Sequence, residues 1–270
     1  MSEHGSSISS LPHALTSPSV WRQRLDGRTP TVFLDYDGVL TPIVDDPAAA
    51  TLDDATRAAL IDLVEVLPVA IISGRDLADV RGMVDVTGLA YAGSHGFDML
   101  LPDGGRERKG EEHLDALDAA EERLRDELAA AERVRVERKR YAIAIHTREA
   151  DDASERTAHE AVDAVAGDSD GLRVTGGRDI RELRPDIDWD KGRAVLRLAD
   201  VLDLSVDTHP PVYVGDDLTD EDAFAVIAET GVGVVVAGAE ERETAAHVRL
   251  DDPGQTADLL RLLRDFSTKA

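Results

Sequence analysis

Two aspartates, Asp35 and Asp37, stand two residues apart after the apolar run Thr31–Leu34, and Gly38 follows them. Alternate residues of a strand point to one side, so both carboxylates should lie together at the carboxyl end of a strand, where open α/β sheets bind ligands. Two acids there need a cation between them, and Mg²⁺, which prefers oxygen ligands, fits. One carboxylate can then attack phosphorus while the other protonates the leaving oxygen and later activates water. On its own, the pair would favour a plain polar strand end followed by a turn.

Three other segments place polar groups where strands end or helices begin. Ser73 follows a second apolar run, and its hydroxyl could bind a phosphate oxygen or simply cap the next helix. Lys191 starts a helix pattern, where the helix dipole disfavours a cation unless an anion lies nearby; a solvated lysine is the alternative. The run Val212–Val214 leads through Gly215 to a dense acidic cluster, which predicts a bound metal ion. The acids are Asp216, Asp217, Asp220, Glu221 and Asp222.

The elements that must position these residues alternate between strand and helix. Short apolar runs without polar alternation predict strands that are buried on both faces, as in a parallel sheet covered by helices. The predicted strands are Thr31–Leu34, Val66–Ile72, Leu89–Ala92, Val212–Val214 and Val232–Val236. The predicted helices are Asp53–Leu67, Asp76–Val84, Lys191–Leu202 and Asp220–Thr230. The pattern therefore predicts a Rossmann-like α/β fold, a parallel sheet with helices on both faces.

The middle of the chain has a different pattern. A long charged helix is predicted over Glu111–Arg133, followed by two alternating strands, a second helix and two more strands. The two strands of the first pair are Val134–Arg138 and Tyr141–Arg148. A helix-strand-strand unit that occurs twice predicts an inserted α+β domain with antiparallel strands and helices on one face. We therefore expect a core domain of residues 21–110 and 186–270, an inserted domain of residues 111–185, and a disordered tail of residues 1–20.

The composition restricts the classes of partner. The 270 residues carry a formal net charge of −25, which disfavours binding to nucleic acid or to an anionic membrane. A phosphate site on such a chain requires a local cation. Cysteine is absent, which excludes disulfides, thiolate zinc sites and a cysteine nucleophile. No secretion signal or membrane-spanning run is evident, so we expect a cytoplasmic protein.

In order along the chain, the acid pair, the hydroxyl, the lysine and the acid cluster resemble the four motifs of haloacid dehalogenase-type phosphatases. The resemblance implies that Asp35 is the nucleophile and Asp37 the general acid and base, while Ser73 and Lys191 hold the phosphate. It also implies a Mg²⁺ ion bound by Asp35, the backbone carbonyl of Asp37, and Asp216. The residues assigned as supporting acids are Asp217 and Asp220.

Longer strings resemble trehalose-6-phosphate phosphatases over about residues 20–266, with the inserted domain as the substrate-selecting cap. These strings are residues 35–43, 93–96, 184–192 and 215–224. The resemblance implies hydrolysis of trehalose 6-phosphate, the last step of trehalose synthesis, and functional coupling to a trehalose-phosphate synthase. It assigns a group of polar residues to substrate binding, while a solvated polar strand face remains the alternative for those in the cap. The group comprises Arg75, Glu137, Lys139, His146, Arg148 and Glu182.

Two other functions remain open on the sequence. A related sugar phosphatase, acting on sucrose phosphate or mannosyl-3-phosphoglycerate, would share the core and differ in the polar face of the cap. A non-catalytic partner of a trehalose-phosphate synthase would share the fold, but such copies usually lose the nucleophile, and Asp35 is present here. His95, within the string 93–96, receives no catalytic assignment.

Overall fold

The computed structural model describes residues 5–44, 46–176, 179–238 and 241–267. Among the strands of this described part, the first seven are β1 (Ser6–Ser7), β2 (Thr31–Leu34), β3 (Val69–Ile72), β4 (Ala90–Gly93), β5 (Asp98–Leu100), β6 (Arg106–Arg108) and β7 (Arg135–Lys139). The others are β8 (Ala142–His146), β9 (Leu172–Gly176), β10 (Ile180–Pro185), β11 (Pro211–Gly215), β12 (Val232–Val236), β13 (Glu243–Thr244) and β14 (Val248–Leu250).

The helices of the same residues cover both parts of the chain. They are α1 (Pro18–Leu25), α2 (Asp54–Val64), α3 (Leu77–Val84), α4 (Leu114–Glu127), α5 (Asp152–Asp168), α6 (Lys191–Val201), α7 (Glu221–Ile227) and α8 (Thr256–Ser267). Within the described residues, none of these helices has the length and apolar content needed to cross a bilayer.

The chain folds as two compact units. The core unit contains the chain up to Glu107 and from Trp189 onwards, and the inserted unit is Arg108–Asp188. The inserted unit thus extends three residues further at each end than the predicted range of 111–185.

The core unit is built on a mostly parallel sheet with the strand order β14-β12-β11-β2-β3-β4-β5-β6. The strands from β14 to β4 run parallel, and β5 pairs with β4 in the antiparallel sense. The prediction of an α/β core is confirmed. Because β11, β2 and β3 are neighbours, the residues that follow them meet at one edge of the sheet.

Both faces of this sheet are covered by helices. Along β2, Val32 and Leu34 pack in one apolar cluster with residues of α1, α2, α3 and α8, whereas Phe33 packs in the other with α6 and α7. All four residues of β2 are buried. Burial on both faces explains why the strand reads as an uninterrupted apolar run.

The N-terminal segment differs from its prediction. Within the described residues, it is not a disordered tail: β1 pairs with β13, and Ile8 and Leu11 are buried in the core unit. The backbone of Ala14 also donates to the carbonyl of Arg249 at 2.8 Å. Three apolar side chains spaced three residues apart bury enough surface to dock this serine-rich segment.

The inserted unit is a four-stranded antiparallel sheet with the order β7-β8-β10-β9. The helices α4 and α5 pack on one face, where Ile143, Ile145 and Leu183 join their apolar residues in a separate core. On the central strand β8, Ala142 and Ala144 alternate with the two isoleucines and so point to the other face. That face, which we call the polar face, carries the long side chains of the flanking strands.

Candidate active site

The strand ends of the core unit bring a buried lysine between two buried carboxylates. Asp35 follows β2, Lys191 is the first residue of α6, and Asp220 precedes α7. The Nζ atom of Lys191 lies 2.5 Å from Oδ2 of Asp35 and 2.7 Å from Oδ1 of Asp220. The lysine side chain is 2% exposed. A cation at the positive N-terminal end of a helix is unfavourable by itself. Here the two carboxylates offset that repulsion, which explains the position of Lys191.

Asp220 holds the groups of this cluster together through its hydrogen bonds. Its Oδ1 accepts hydrogen bonds from Lys191 and from the hydroxyl of Tyr213 at 2.6 Å. Its Oδ2 accepts the backbone N–H groups of Asp216 and Asp217, both at 2.9 Å. With both oxygens engaged twice, Asp220 fixes the lysine and the loop rather than presenting a free ligand oxygen.

Asp216 completes a set of carboxylates suited to a metal ion. Oxygens of Asp35, Asp216 and Asp220 all lie within 4.8 Å of one another. Gly38 makes room for Asp216, because a Cβ at Gly38 would lie 2.0 Å from Oδ2 of Asp216, and its φ of +72° also favours glycine. Asp35 and Asp216 therefore offer carboxylate oxygens, the kind of ligand that Mg²⁺ prefers, while Asp220 supports them from behind.

The electrostatics of these acids also fit a bound cation. Burial raises the pKa of Asp35 to about 7, with Lys191 opposing the rise and Asp220 adding to it. Burial, followed by the charges of Asp35 and Asp220, raises the pKa of Asp216 to about 8. Burial alone would lower the pKa of Lys191, but Asp220 and Asp35 outweigh it and raise that pKa. A divalent cation would restore the ionised forms of the crowded acids. The donor set therefore fits the metal that the sequence motifs imply.

Asp37 lies outside this cluster and is held by Arg75. The guanidinium donates from Nε to Oδ2 and from Nη2 to Oδ1 of Asp37, both at 2.7 Å. Its Nη1 donates to the carbonyl of Pro47 at 2.8 Å, and the group lies 5.4 Å from the ring centroid of Tyr36. Arg75 was assigned to substrate binding from the sequence, whereas here its contacts fix the orientation of Asp37.

Ser73 lies just beyond β3, next to the strand that carries Asp35, and is fully buried. Its hydroxyl accepts the backbone N–H of Arg75 at 3.2 Å, and its carbonyl accepts that of His95 at 2.8 Å. Ser94 and His95 have φ values of +50° and +57°, an uncommon conformation for residues with a Cβ. His95 therefore shapes the backbone beside Ser73.

Asp217 is exposed and caps the short turn that leads into α7, with its carboxylate accepting the N–H of Leu218 at 2.6 Å. It thus orders the loop that carries Asp216.

The polar face of the inserted unit brings four of the five predicted cap residues into two pairs. Lys139 Nζ lies 2.7 Å from Oε1 of Glu182, and His146 Nε2 lies 2.7 Å from Oε2 of Glu137. The first pair joins β7 to β10 across the central strand, which small alanines leave open. The hydrogen bond from His146 is the main reason that the pKa of Glu137 is lowered.

Arg148 does not join these pairs. The strand β8 ends at His146, so Arg148 lies in the following turn, 71% exposed and 3.8 Å from Asp179. The prediction that the strand continues to Arg148 was wrong, because the chain turns towards α5 two residues earlier.

Sequence reasoning missed Tyr213. It lies in the buried strand β11, its ring packs edge-on against Phe224 at 5.6 Å between centroids, and its hydroxyl binds Asp220. Burial and Asp220 raise the pKa of the hydroxyl well above its ordinary value. The available signal was a tyrosine within an apolar run, because a buried hydroxyl requires a hydrogen-bond partner.

Comparison with known proteins gives one family. The family model described as trehalose-phosphatase matches residues 33–254. A trehalose-phosphate phosphatase of Mycobacterium marinum is 45% identical over 271 residues, which cover 97% of this chain and 68% of that protein. An uncharacterized glycosyl hydrolase of Mycobacterium tuberculosis is 46% identical over 263 residues, 95% of this chain but 20% of that protein. The chain thus spans about a fifth of the latter protein's length.

The fold is also that of solved structures. The C-terminal domain of trehalose-6-phosphate phosphatase from C. albicans superposes with a TM-score of 0.74 and 26% identity, covering 94% of this chain and 98% of that one. The order of the four sequence motifs, the geometry of the acid cluster and these matches agree. The chain belongs to the trehalose-phosphatase family.

Proposed function

We propose that this chain hydrolyses trehalose 6-phosphate to trehalose and inorganic phosphate through an aspartyl-phosphate on Asp35. The observation that carries the proposal is the buried pair of Asp35 and Lys191 beside Asp216, in a chain of the trehalose-phosphatase family. A lysine so placed can both orient the nucleophile and compensate the charge of a phosphoryl group.

The reaction has two displacement steps at phosphorus. In the first, a carboxylate oxygen of Asp35 bonds to phosphorus, the bond from phosphorus to the sugar oxygen breaks, and Asp37 gives its proton to that oxygen. In the second, Asp37 takes a proton from water, the water oxygen bonds to phosphorus, and the bond to Asp35 breaks. Arg75 holds the carboxylate of Asp37 by both oxygens, each of which keeps a further lone pair for the proton.

We propose Mg²⁺ as the cofactor, held by Asp35, Asp216 and the backbone carbonyl of Asp37. Such an ion supplies positive charge to the phosphoryl oxygens when it is bound. Ser73 and Lys191 are proposed to bind the phosphate itself. The carboxylate oxygens and the raised pKa values of Asp35 and Asp216 support the assignment of a metal ion to this site.

Sugar recognition is proposed to reside on the polar face of the inserted unit. Glu137, Lys139, His146 and Glu182 are arranged there as two hydrogen-bonded pairs, of which Lys139 and Glu182 form an ion pair. Side chains fixed by each other lose little conformational freedom when they bind hydroxyl groups, which favours a polyhydroxylated ligand. Functional coupling to a trehalose-phosphate synthase, which would supply the substrate, is part of the same proposal.

Replacing Glu182 with glutamine tests the sugar site. Glu182→Gln removes a charged acceptor and its pair with Lys139, so we expect KM for trehalose 6-phosphate to rise roughly tenfold, with a smaller change in kcat. Initial rates over a range of substrate concentrations give both constants. Glu122→Gln, at an exposed position of α4, is the matched control and should leave KM unchanged. An unchanged KM in Glu182→Gln would remove Glu182 from sugar binding.

Phosphate release from a panel of sugar phosphates, with Mg²⁺ and with a chelator, tests the proposed reaction. The panel contains trehalose 6-phosphate, sucrose 6-phosphate, glucose 6-phosphate and mannosyl-3-phosphoglycerate. We expect a strong preference for trehalose 6-phosphate that the chelator abolishes. Preference for another member would keep the chemistry and discard the sugar assignment. Absence of activity from folded protein in Mg²⁺ would contradict the proposal and favour a non-catalytic partner of a synthase.

A further inference from the structure

Arg242 reaches the loop that carries Asp216 from outside the four motifs. Its Nη2 donates to the backbone carbonyl of Asp216 at 3.0 Å and to that of Asp217 at 3.1 Å. Its Nη1 forms an ion pair with Glu221, the first residue of α7. The side chain of Arg242 is only 17% exposed, so these contacts are partly shielded from water.

The backbone of the same two residues is held from the other direction by Asp220. The N–H groups of Asp216 and Asp217 point to Oδ2 of Asp220, and their carbonyls point to Arg242. Donor and acceptor groups of the loop are thus both bound to buried or half-buried charges. Hydrogen bonds to charged groups are the stronger kind, so the direction of the Asp216 side chain is set by this clamp.

The segment that carries Arg242 is itself anchored on two sides. Glu221 accepts the backbone N–H of Ala245 at 2.8 Å through its second oxygen. The backbone N–H of Ile8 donates to the carbonyl of Arg242 at 3.1 Å, where β1 pairs with β13. Ile8 is 4% exposed, which ties this edge to the core of the unit. The backbone that carries Arg242 is therefore fixed, and its guanidinium is held at a defined place beside the loop.

We propose that Arg242 is a positioning residue for the metal site, holding the loop so that Asp216 faces Asp35 as a ligand. Without Arg242, no cation offsets the mutual repulsion of Asp216, Asp217 and Glu221. The backbone carbonyls of Asp216 and Asp217 also lose their charged donor. The inference rests on the proposed function, because the ion in question is the divalent cation of that site. Residues that orient metal ligands commonly change metal affinity by roughly 10–100-fold when they are replaced.

Binding of Mn²⁺ to the metal-free, full-length protein, followed by electron paramagnetic resonance, tests this role without relying on turnover. We expect Arg242→Gln to weaken Mn²⁺ binding about tenfold, and Arg242→Lys to weaken it less, since a lysine can donate to only part of the set. Arg261→Gln, in an exposed pair with Asp258 on α8, is the matched control and should bind Mn²⁺ as the wild type does.

Thermal unfolding of each variant separates positioning from general support of the fold. A purely structural role would lower the melting temperature but leave the Mn²⁺ affinity of the folded protein unchanged, and that result would overturn the inference. If Arg242→Gln does not fold, a weakened Mn²⁺ affinity in Arg242→Lys supports the inference and an unchanged one overturns it. Absence of Mn²⁺ binding to the wild type would instead contradict the metal chemistry of the proposed function.

Discussion

Replacing Asp35 with asparagine is expected to abolish phosphate release from trehalose 6-phosphate while leaving the fold intact. The amide cannot form the aspartyl-phosphate, so the loss should reach roughly 10⁴-fold or more, the scale seen when a covalent nucleophile is removed. Stability should be kept, because Lys191 retains Asp220 as a partner and a buried carboxylate is lost. The raised pKa of Asp35, about 7, reflects the cost of ionising it in this buried position. Phosphate release and urea unfolding measure the two effects separately.

The matched control for this variant is Asp62→Asn. Asp62 is an exposed aspartate of α2 whose carboxylate lies 2.8 Å from Arg264 on α8. A surface pair of this kind contributes about 0–1 kcal/mol, so activity and stability should both remain close to those of the wild type. Substantial turnover by Asp35→Asn would remove Asp35 from the role of nucleophile, whatever the control does.

The strands of the core unit were the most predictable part of the fold. The prediction places two strands, Thr31–Leu34 and Val232–Val236, with the same limits as the structure. Both are runs buried on two faces, and Pro30, Asp35 and Gly231 mark three of their four ends. Helix ends were less predictable: the charged helix predicted over 111–133 is α4, which covers Leu114–Glu127. Apolar spacing defines the face of a helix but not its last turn.

Contacts between side chains far apart in the sequence could not be predicted. The pair of Asp37 and Arg75 depends on the neighbouring positions of β2 and β3, and the pair of Lys139 and Glu182 depends on strand register. Asp37 was predicted to be the general acid and base, and Arg75, Lys139 and Glu182 to bind substrate, because the sequence does not show which residues bind each other. Arg242 gave no signal, since a lone arginine after α7 has no spacing that points to the acid cluster.

Replacing Lys191 with methionine is expected to lower the stability of the core unit as well as its activity. The substitution keeps most of the side-chain volume and removes the cation between Asp35 and Asp220. Removing one partner of a buried ion pair typically costs about 3–5 kcal/mol in the free energy of unfolding, because the remaining charge is left uncompensated. Loss of the group proposed to stabilise the phosphoryl transfer should lower kcat by roughly 10²-fold or more.

A double variant shows that the loss of stability comes from charge. In Asp35→Asn/Lys191→Met one of the two buried carboxylates is also removed, so Asp220 no longer lies beside a second uncompensated charge. We therefore expect the double variant to be more stable than Lys191→Met by about 0.5–3 kcal/mol, the usual range of coupling between contacting residues. Urea unfolding without metal measures the cycle, and Arg22→Met, at an exposed position of α1, controls for replacing a long cation by methionine.

The sign of this coupling decides between two views of the buried lysine. If Lys191 mainly fills space, methionine replaces it at little cost and the second substitution adds its own independent effect. If Lys191 compensates the acids, each carboxylate is tolerated only in its presence, and removing Asp35 must recover part of what Lys191→Met loses. The raised pKa of Lys191, caused by Asp220 and Asp35 against the effect of burial, predicts the second outcome. Additive losses would show that the lysine serves phosphate binding and does not stabilise the metal-free folded protein.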